Sequence, residues 1–261
     1  VAYGVVSYQT AYLKAHYPVE YMAALLTSVR NNKDNKPLYL NECRRLGIPV
    51  RLPDVNASEA DFTPRGEEIL FGLAAVRGVG EGVVERIVAA RTEKGAFTDF
   101  TDFAMKVDAT VLNRTVLENL IRAGAFVGLG HPRRGLLAVY EGIVADALSR
   151  KRAEAAGQFS LFDEPSGDTS GVDAPVLEVP DDEFPGRDLL KLERELLGLY
   201  VSSHPLDGTE AVLAALTDTQ VAGLGERGDG ATVTIGGVLT AVAKKFTRKG
   251  EVVVELSGQS L

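Results

Sequence analysis

Between Leu73 and Arg91 two glycines one residue apart, Gly78 and Gly80, interrupt an otherwise helical apolar spacing carried by Val76, Val79, Val83 and Ile87. Glycine adopts positive φ at little steric cost, so this run reads as two helices joined by a tight reversal, with both glycines expected at positive φ. Val79, held between them, is placed to plug the core. The helix after the turn must begin with backbone N–H groups that have no partner within the helix. Folding is thereby directed toward short, glycine-punctuated helical hairpins.

The run has the form of a helix-hairpin-helix. Free amides at the start of the second helix, reinforced by its dipole, suit a backbone phosphate and involve no base edge. Arg77, Gly78, Val79, Gly80, Glu81, Gly82 and Arg86 are the candidate contacts, with Arg77, Arg86 and Arg91 expected to point outward. The competing reading is a plain glycine turn between packed helices. A second, weaker unit spans Leu112 to Phe126, with Gly124 as its turn and His131-Pro132-Arg133-Arg134 opening the next helix. It lacks a Gly-x-Gly turn, so ordinary helix packing competes with phosphate contact by Arg114, Arg133 and Arg134. Two adjacent arginines also commonly form nothing more than a solvated surface pair.

Elsewhere, Pro18 suits the first turn of a helix through Tyr21, Leu25 and Leu26, and another from Lys36 to Leu46 stops at Gly47. Ile48 to Pro53 is barred from helix by its two prolines. Phe62-Thr63 and Ile69-Leu70-Phe71 form a short hairpin around Pro64-Arg65-Gly66, and a further helix runs from Arg187 to Val201. Thr232-Val233-Thr234-Ile235 and Val252-Val253-Val254 read as two strands joined through Arg248-Lys249-Gly250. These are too few strands for a five-stranded barrel.

The net charge of −8 argues against nucleic acid until its distribution is considered. Residues 163–195 hold eleven acidic against three basic side chains, which accounts for the whole excess. Such a stretch buries too little apolar surface to offset its chain entropy and is expected to be a disordered linker that keeps itself off DNA. At its edge lie Gln158-Phe159-Ser160-Leu161-Phe162, whose large apolar side chains suggest a docking peptide rather than residues folded back on their own helices. No catalytic constellation is found. His16, His131 and His204 lie far apart in sequence, and no phosphate loop, nucleophile elbow or Asp-x-Asp pair for two magnesium ions is present. The single Cys43 is expected to be a buried thiol in a reducing cytoplasm, and no apolar run is long enough to span a bilayer. Val1 in place of an initiator methionine suggests a piece of a longer chain.

Several segments, in order, resemble bacterial DNA polymerase III alpha subunits. They are Tyr3 to Met22, Leu52-Pro53-Asp54-Val55-Asn56, Gly78 to Gly82, Leu112-Asn113-Arg114 with Ala123 to Phe126, and Leu197-Gly198-Leu199-Tyr200-Val201-Ser202-Ser203-His204-Pro205-Leu206. The resemblance covers residues 1 to about 245. It implies the end of a fingers region over 1–60, tandem helix-hairpin-helix units over 61–156, a clamp-binding peptide and acidic linker over 157–185, a helical connector over 186–228, and the start of an oligonucleotide-binding (OB) fold over 229–261. The expected class is therefore mainly α, with a short β-hairpin, a disordered acidic linker and an incomplete C-terminal OB-type β module. The resemblance implies double-stranded primer-template DNA, a sliding clamp and other polymerase III holoenzyme subunits as partners, and no membrane. It assigns Gln158, Phe159, Ser160, Leu161 and Phe162 to the clamp, and confines Mg2+ and nucleotidyl transfer to a catalytic domain outside this sequence. The rivals are a free-standing helix-hairpin-helix repair module and a base-excision glycosylase, which would need a catalytic residue such as Asp99 or Asp102 facing a base pocket.

Overall fold

The computed structural model describes residues 2–30, 32, 35–155, 178–198, 200–203, 205–219, 221–228, 230–246 and 252–259. Two compact units result, Val1–Ser202 and Ser203–Leu261. The fold is mainly helical. The first unit opens with α1 (Ala2–His16), α2 (Pro18–Ser28) and α3 (Asn35–Arg45). Pro18 occupies the first turn of α2, as its missing N–H allows.

After α3 the chain forms a small three-stranded sheet, β1 (Val50–Arg51), β2 (Thr63–Arg65) and β3 (Glu68–Leu70), in the order β1-β3-β2. The β2–β3 ladder is antiparallel, as the Pro64-Arg65-Gly66 turn signal suggests, and β1 adds in parallel with Val50 opposite Ile69. Leu52-Pro53-Asp54-Val55-Asn56 is a set of backbone ties. Asn56 exchanges two hydrogen bonds of 2.8 Å with the backbone of Phe97, and the Val55 N–H donates to the Ala125 carbonyl at 3.0 Å.

The two hairpin units follow. The first comprises a 3-10 turn at Leu73–Ala75 and then α4 (Glu81–Lys94), and α5 (Phe100–Lys106) follows it. Asp99 caps α5 by accepting the Asp102 N–H at 2.8 Å. The second comprises α6 (Arg114–Arg122), capped by Asn113, a 3-10 turn at Val127–Leu129, and the 23-residue α7 (Arg133–Ala155). One core joins them. Phe103 packs edge-on against Phe97 and Phe126, with ring centres 5.0 and 4.9 Å apart, and Phe100 meets Phe126 at 5.0 Å. All four rings are at most 2% exposed. Burying each contributes about 1.5–3 kcal/mol, which outweighs any single surface contact.

Residues 178–185 lie without regular structure, and α8 (Gly186–Leu196) closes the first unit. From the sequence this helix is expected to run to Val201. It stops earlier because Gly198 takes φ +81 and the Glu193 carboxylate accepts the N–H groups of Val201 and Ser202 at 2.9 and 3.0 Å.

The second unit contains α9 (Glu210–Leu216), a 3-10 stretch at Val221–Glu226, and the antiparallel pair β4 (Val238–Phe246) and β5 (Val252–Gln259). Thr232–Ile235, expected as a strand, lies outside the β4–β5 ladder, and Asp218 explains why. The Asp218 side chain accepts the Thr234 N–H at 2.8 Å, and the Asp218 N–H donates to the Thr234 carbonyl at 2.9 Å. Backbone groups spent on a loop partner cannot also form a ladder.

Candidate nucleic-acid interface

The first hairpin turn is built around Gly78, at φ +79. A Cβ there would lie 2.6 Å from the Asn119 side-chain nitrogen, which donates to the Arg77 carbonyl at 2.9 Å. Asn119, on α6, therefore locks the turn from the neighbouring hairpin. Val79 is 6% exposed and plugs the core beneath the turn. Gly80 differs from the sequence expectation of positive φ. It sits at φ −85, ψ 153 as the N-cap of α4, an extended conformation open to any residue.

At the start of α4 the N–H groups of Val83 and Val84 donate to the Gly80 carbonyl, while those of Glu81 and Gly82 have no acceptor among the described residues. A Cβ at Gly80 or Gly82 would meet nothing within 4 Å, so the approach to these amides is bare. Glu81, whose charge opposes an incoming phosphate, is held by the Arg30 guanidinium, which also binds Asp61. These two carboxylates raise the Arg30 pKa above its ordinary value, with Glu81 the larger cause.

Beside the turn opens a cleft of about 810 Å³, lined by the cations Arg30, Lys36, Arg77, Lys191 and Arg194 and by the acid Glu195. Lys36 is buried, donating to the Leu197 carbonyl at 3.3 Å, and its pKa is lowered by burial. Lys191 and Arg194 come from α8, within the stretch whose sequence is dominated by acids. Helical spacing sorts those charges: Glu193 turns inward to 0% exposure, while Lys191 remains exposed to solvent. Sequence reasoning missed Arg30, Asn119, Lys191 and Arg194, and only the period of α8 held a usable signal for the last two.

The remaining candidates are distributed differently. Arg77 is exposed at the turn, its backbone N–H bonded to the Leu196 carbonyl at 2.9 Å. Arg86 is exposed but paired with Asp108 at 3.2 Å. Arg91, expected outward, instead has a side chain only 10% exposed, donating to the carbonyls of Val55 and Ser58 and to Glu59. Arg114 is 75% exposed and bridges Glu118 at 2.9 Å and Glu141 at 3.2 Å. Glu118 also accepts from Tyr140, whose phenol is pushed up to about 12 by burial and by that carboxylate.

At the second hairpin Arg133 is not a surface cation. Its side chain is 4% exposed and pairs at 3.3 Å with the fully buried Glu193. Arg134 is exposed and pairs with Asp182 at 3.1 Å. Gln158, Phe159, Ser160, Leu161 and Phe162 lie outside the described residues. Among the described residues no three His, Cys, Asp or Glu side chains are placed to hold a metal, and no helix is long and apolar enough to cross a membrane. Cys43 is buried, and desolvation raises its thiol to about 11.

His131 lies near this turn, its Nε2 accepting the Phe100 N–H at 3.2 Å, and burial lowers its pKa below the ordinary 6.5. Protonation destroys that acceptor. Stability should thus be full above about pH 6.5 and fall as pH drops from there through the depressed folded value. Chemical denaturation at pH 8 and pH 5 should show a loss for wild type that shrinks in His131→Gln, which keeps an acceptor without titrating.

The architecture defines a tandem helix-hairpin-helix protein, and the model of the helix-hairpin-helix motif matches residues 47–136. The chain is 49% identical over 252 residues to the DNA polymerase III subunit alpha of Mycobacterium tuberculosis (strain CDC 1551 / Oshkosh), covering 95% of this chain and 21% of that protein. It is 40% identical over 256 residues to the subunit of Thermus aquaticus and 37% over 250 residues to that of Haemophilus influenzae, again across 95% of this chain. The chain belongs to the DNA polymerase III alpha-subunit family. It spans about a fifth of the length of these relatives.

Proposed function

We propose that this chain is the duplex-holding and clamp-anchoring part of a replicative DNA polymerase, acting in the cytoplasm with primer-template DNA, a sliding clamp and the other holoenzyme subunits. The observation that carries the first half is the Gly78 turn, which leaves the amides of Glu81 and Gly82 bare at the start of α4 beside a basic cleft. Two oriented amides at a positive helix end suit one phosphate, and the exposed Arg77 supplies a further contact, with the exposed Lys191, paired with Asp188 at 2.7 Å, in the cleft beside it. None of these groups reads a base edge, so binding is independent of sequence. Asp99 and Asp102, the carboxylates a glycosylase would need, are committed to capping α5 and to pairing with Lys106 at 2.7 Å. A free-standing repair module leaves the 95% coverage by polymerase subunits unexplained. Nucleotide incorporation belongs to a domain beyond this sequence, where Mg2+ is required. We place the opening of an OB-type module at the β4–β5 ladder.

Clamp anchoring rests on Gln158-Phe159-Ser160-Leu161-Phe162. Leu161 and Phe162 would each contribute about 1.5–3 kcal/mol on burial in an apolar pocket, with Gln158 fixing register by hydrogen bonds. Ordering the peptide offsets several kcal/mol of this gain, leaving an affinity on the order of micromolar. Replacing both Leu161 and Phe162 by alanine should abolish binding to the purified clamp in calorimetric titration and leave duplex affinity unchanged. Equal clamp affinity for wild type and double variant would remove the anchor assignment.

A further inference from the structure

Both hairpins end in a helix N-terminus, but the two ends are in opposite states. At α7 all of the first three amides are taken, by residues of the acidic stretch some fifty positions later. The Arg133 N–H donates to Glu183 Oε2 at 3.0 Å, the Arg134 N–H to Glu183 Oε1 at 3.3 Å, and the Gly135 N–H to the Asp182 carbonyl at 2.8 Å. Glu183 Oε1 also accepts its neighbour's N–H, from Phe184, at 2.8 Å. The Asp182 carboxylate pairs with Arg134 Nε at 3.1 Å. Gly135 makes the approach possible, because any Cβ there would run into the Pro180 carbonyl.

A carboxylate bridging two successive amides at a helix start is bound as a phosphate would be, with two oxygens on two donors. Behind this seat lies Arg133, buried and paired with Glu193, its Nε without a hydrogen-bond acceptor among the described residues. The only strong acid facing that guanidinium from α8 is Glu193, which also serves Val201 and Ser202. The helix start favours an anion on its outer side, and the chain supplies its own.

We propose that Asp182 and Glu183 act as an internal phosphate mimic that occupies the second hairpin and keeps duplex DNA on the first. This rests on the reading of the first hairpin as a phosphate site. It also gives two charges of the acidic stretch, Asp182 and Glu183, a specific place of action, since they are seated on the surface that would otherwise compete for the same strand. Arg134, tied to Asp182, is withheld from DNA until the acids leave.

The test measures binding of a short labelled duplex to the 261-residue chain by fluorescence anisotropy across a salt series. The variant D182N/E183Q removes both charges and leaves the backbone carbonyl of residue 182 and one side-chain amide oxygen at residue 183 as acceptors at the start of α7. It should bind duplex about fivefold more tightly near 0.1 M salt, with the slope of log K against log salt steeper by about 1. Adding Arg134→Ala to that variant should erase the gain, whereas Arg134→Ala in wild type should change affinity by less than about twofold. Affinity and slope equal to wild type in a folded D182N/E183Q chain would reduce Glu183 to a helix cap and overturn the proposal. So would a loss of about fivefold or more on Arg134→Ala in wild type, a readout that does not need the double variant to fold. Duplex binding by the acid-free variant alone, with none by wild type, would remove the first-hairpin reading and with it the claim that the acids keep duplex on the first hairpin, while a folded wild type and acid-free variant that both fail to bind would overturn the two together.

Discussion

Replacing Glu193 by glutamine should destabilise the first unit by about 3–5 kcal/mol, the loss expected when one partner of a buried ion pair is removed. The change leaves the Arg133 guanidinium, 4% exposed, without its counter-charge. It also weakens the acceptor that holds the Val201 and Ser202 amides. For a domain of this size about 2–4 °C are lost per kcal/mol, so the thermal midpoint should fall by roughly 6–20 °C. Arg133→Met combined with Glu193→Gln should melt higher than Glu193→Gln alone, because the stranded charge is gone. A single variant melting within about 2 °C of wild type would show that the pair does not hold α8 to the second hairpin.

Replacing Gly78 by valine should cost about 1–3 kcal/mol from the left-handed backbone alone, with more from the side chain's collision with Asn119. The turn sits at φ +79, and a Cβ lies 2.6 Å from the Asn119 nitrogen. Repositioning the turn displaces the amides of Glu81 and Gly82, each worth about 1.5–3 kcal/mol to a charged acceptor. Duplex affinity should therefore fall at least about tenfold for every DNA sequence alike. Gly80→Val is the informative contrast. Its extended backbone and empty surroundings accept a side chain, so stability should change by less than about 0.5 kcal/mol. Equal stability losses at the two glycines, read from urea denaturation midpoints, would contradict this account of the turn.

The contrast between these glycines also marks what the sequence could reveal. Turn chemistry is local, so Pro18, Gly47 and Gly124 announce their turns and Val79 its burial. A Gly-x-Gly spacing, however, is symmetric on paper, and the contact that sets Gly78 apart comes from Asn119, forty-one positions beyond it. Side-chain partners are less local still. Arg133 reads as a surface cation beside Arg134 until Glu193 of α8 is brought against it, and Arg91 reads as outward until the Val55–Ser58 loop wraps its guanidinium. Thr232–Ile235 has the composition of a strand, but Asp218 claims its backbone first. The acidic excess is legible from charge counting alone, but the seating of Asp182 and Glu183 on α7 depends on Arg133, Arg134 and Gly135, some fifty positions away.

The most direct test of the central claim is the salt dependence of duplex binding by the wild-type chain, measured on two duplexes of unrelated sequence. With about two to four phosphates contacted, log K should fall against log salt with a slope of roughly −2 to −4, the same for both duplexes. Absence of binding at about 50 mM salt, or a marked preference for one sequence, would contradict a hairpin that holds DNA by its phosphates.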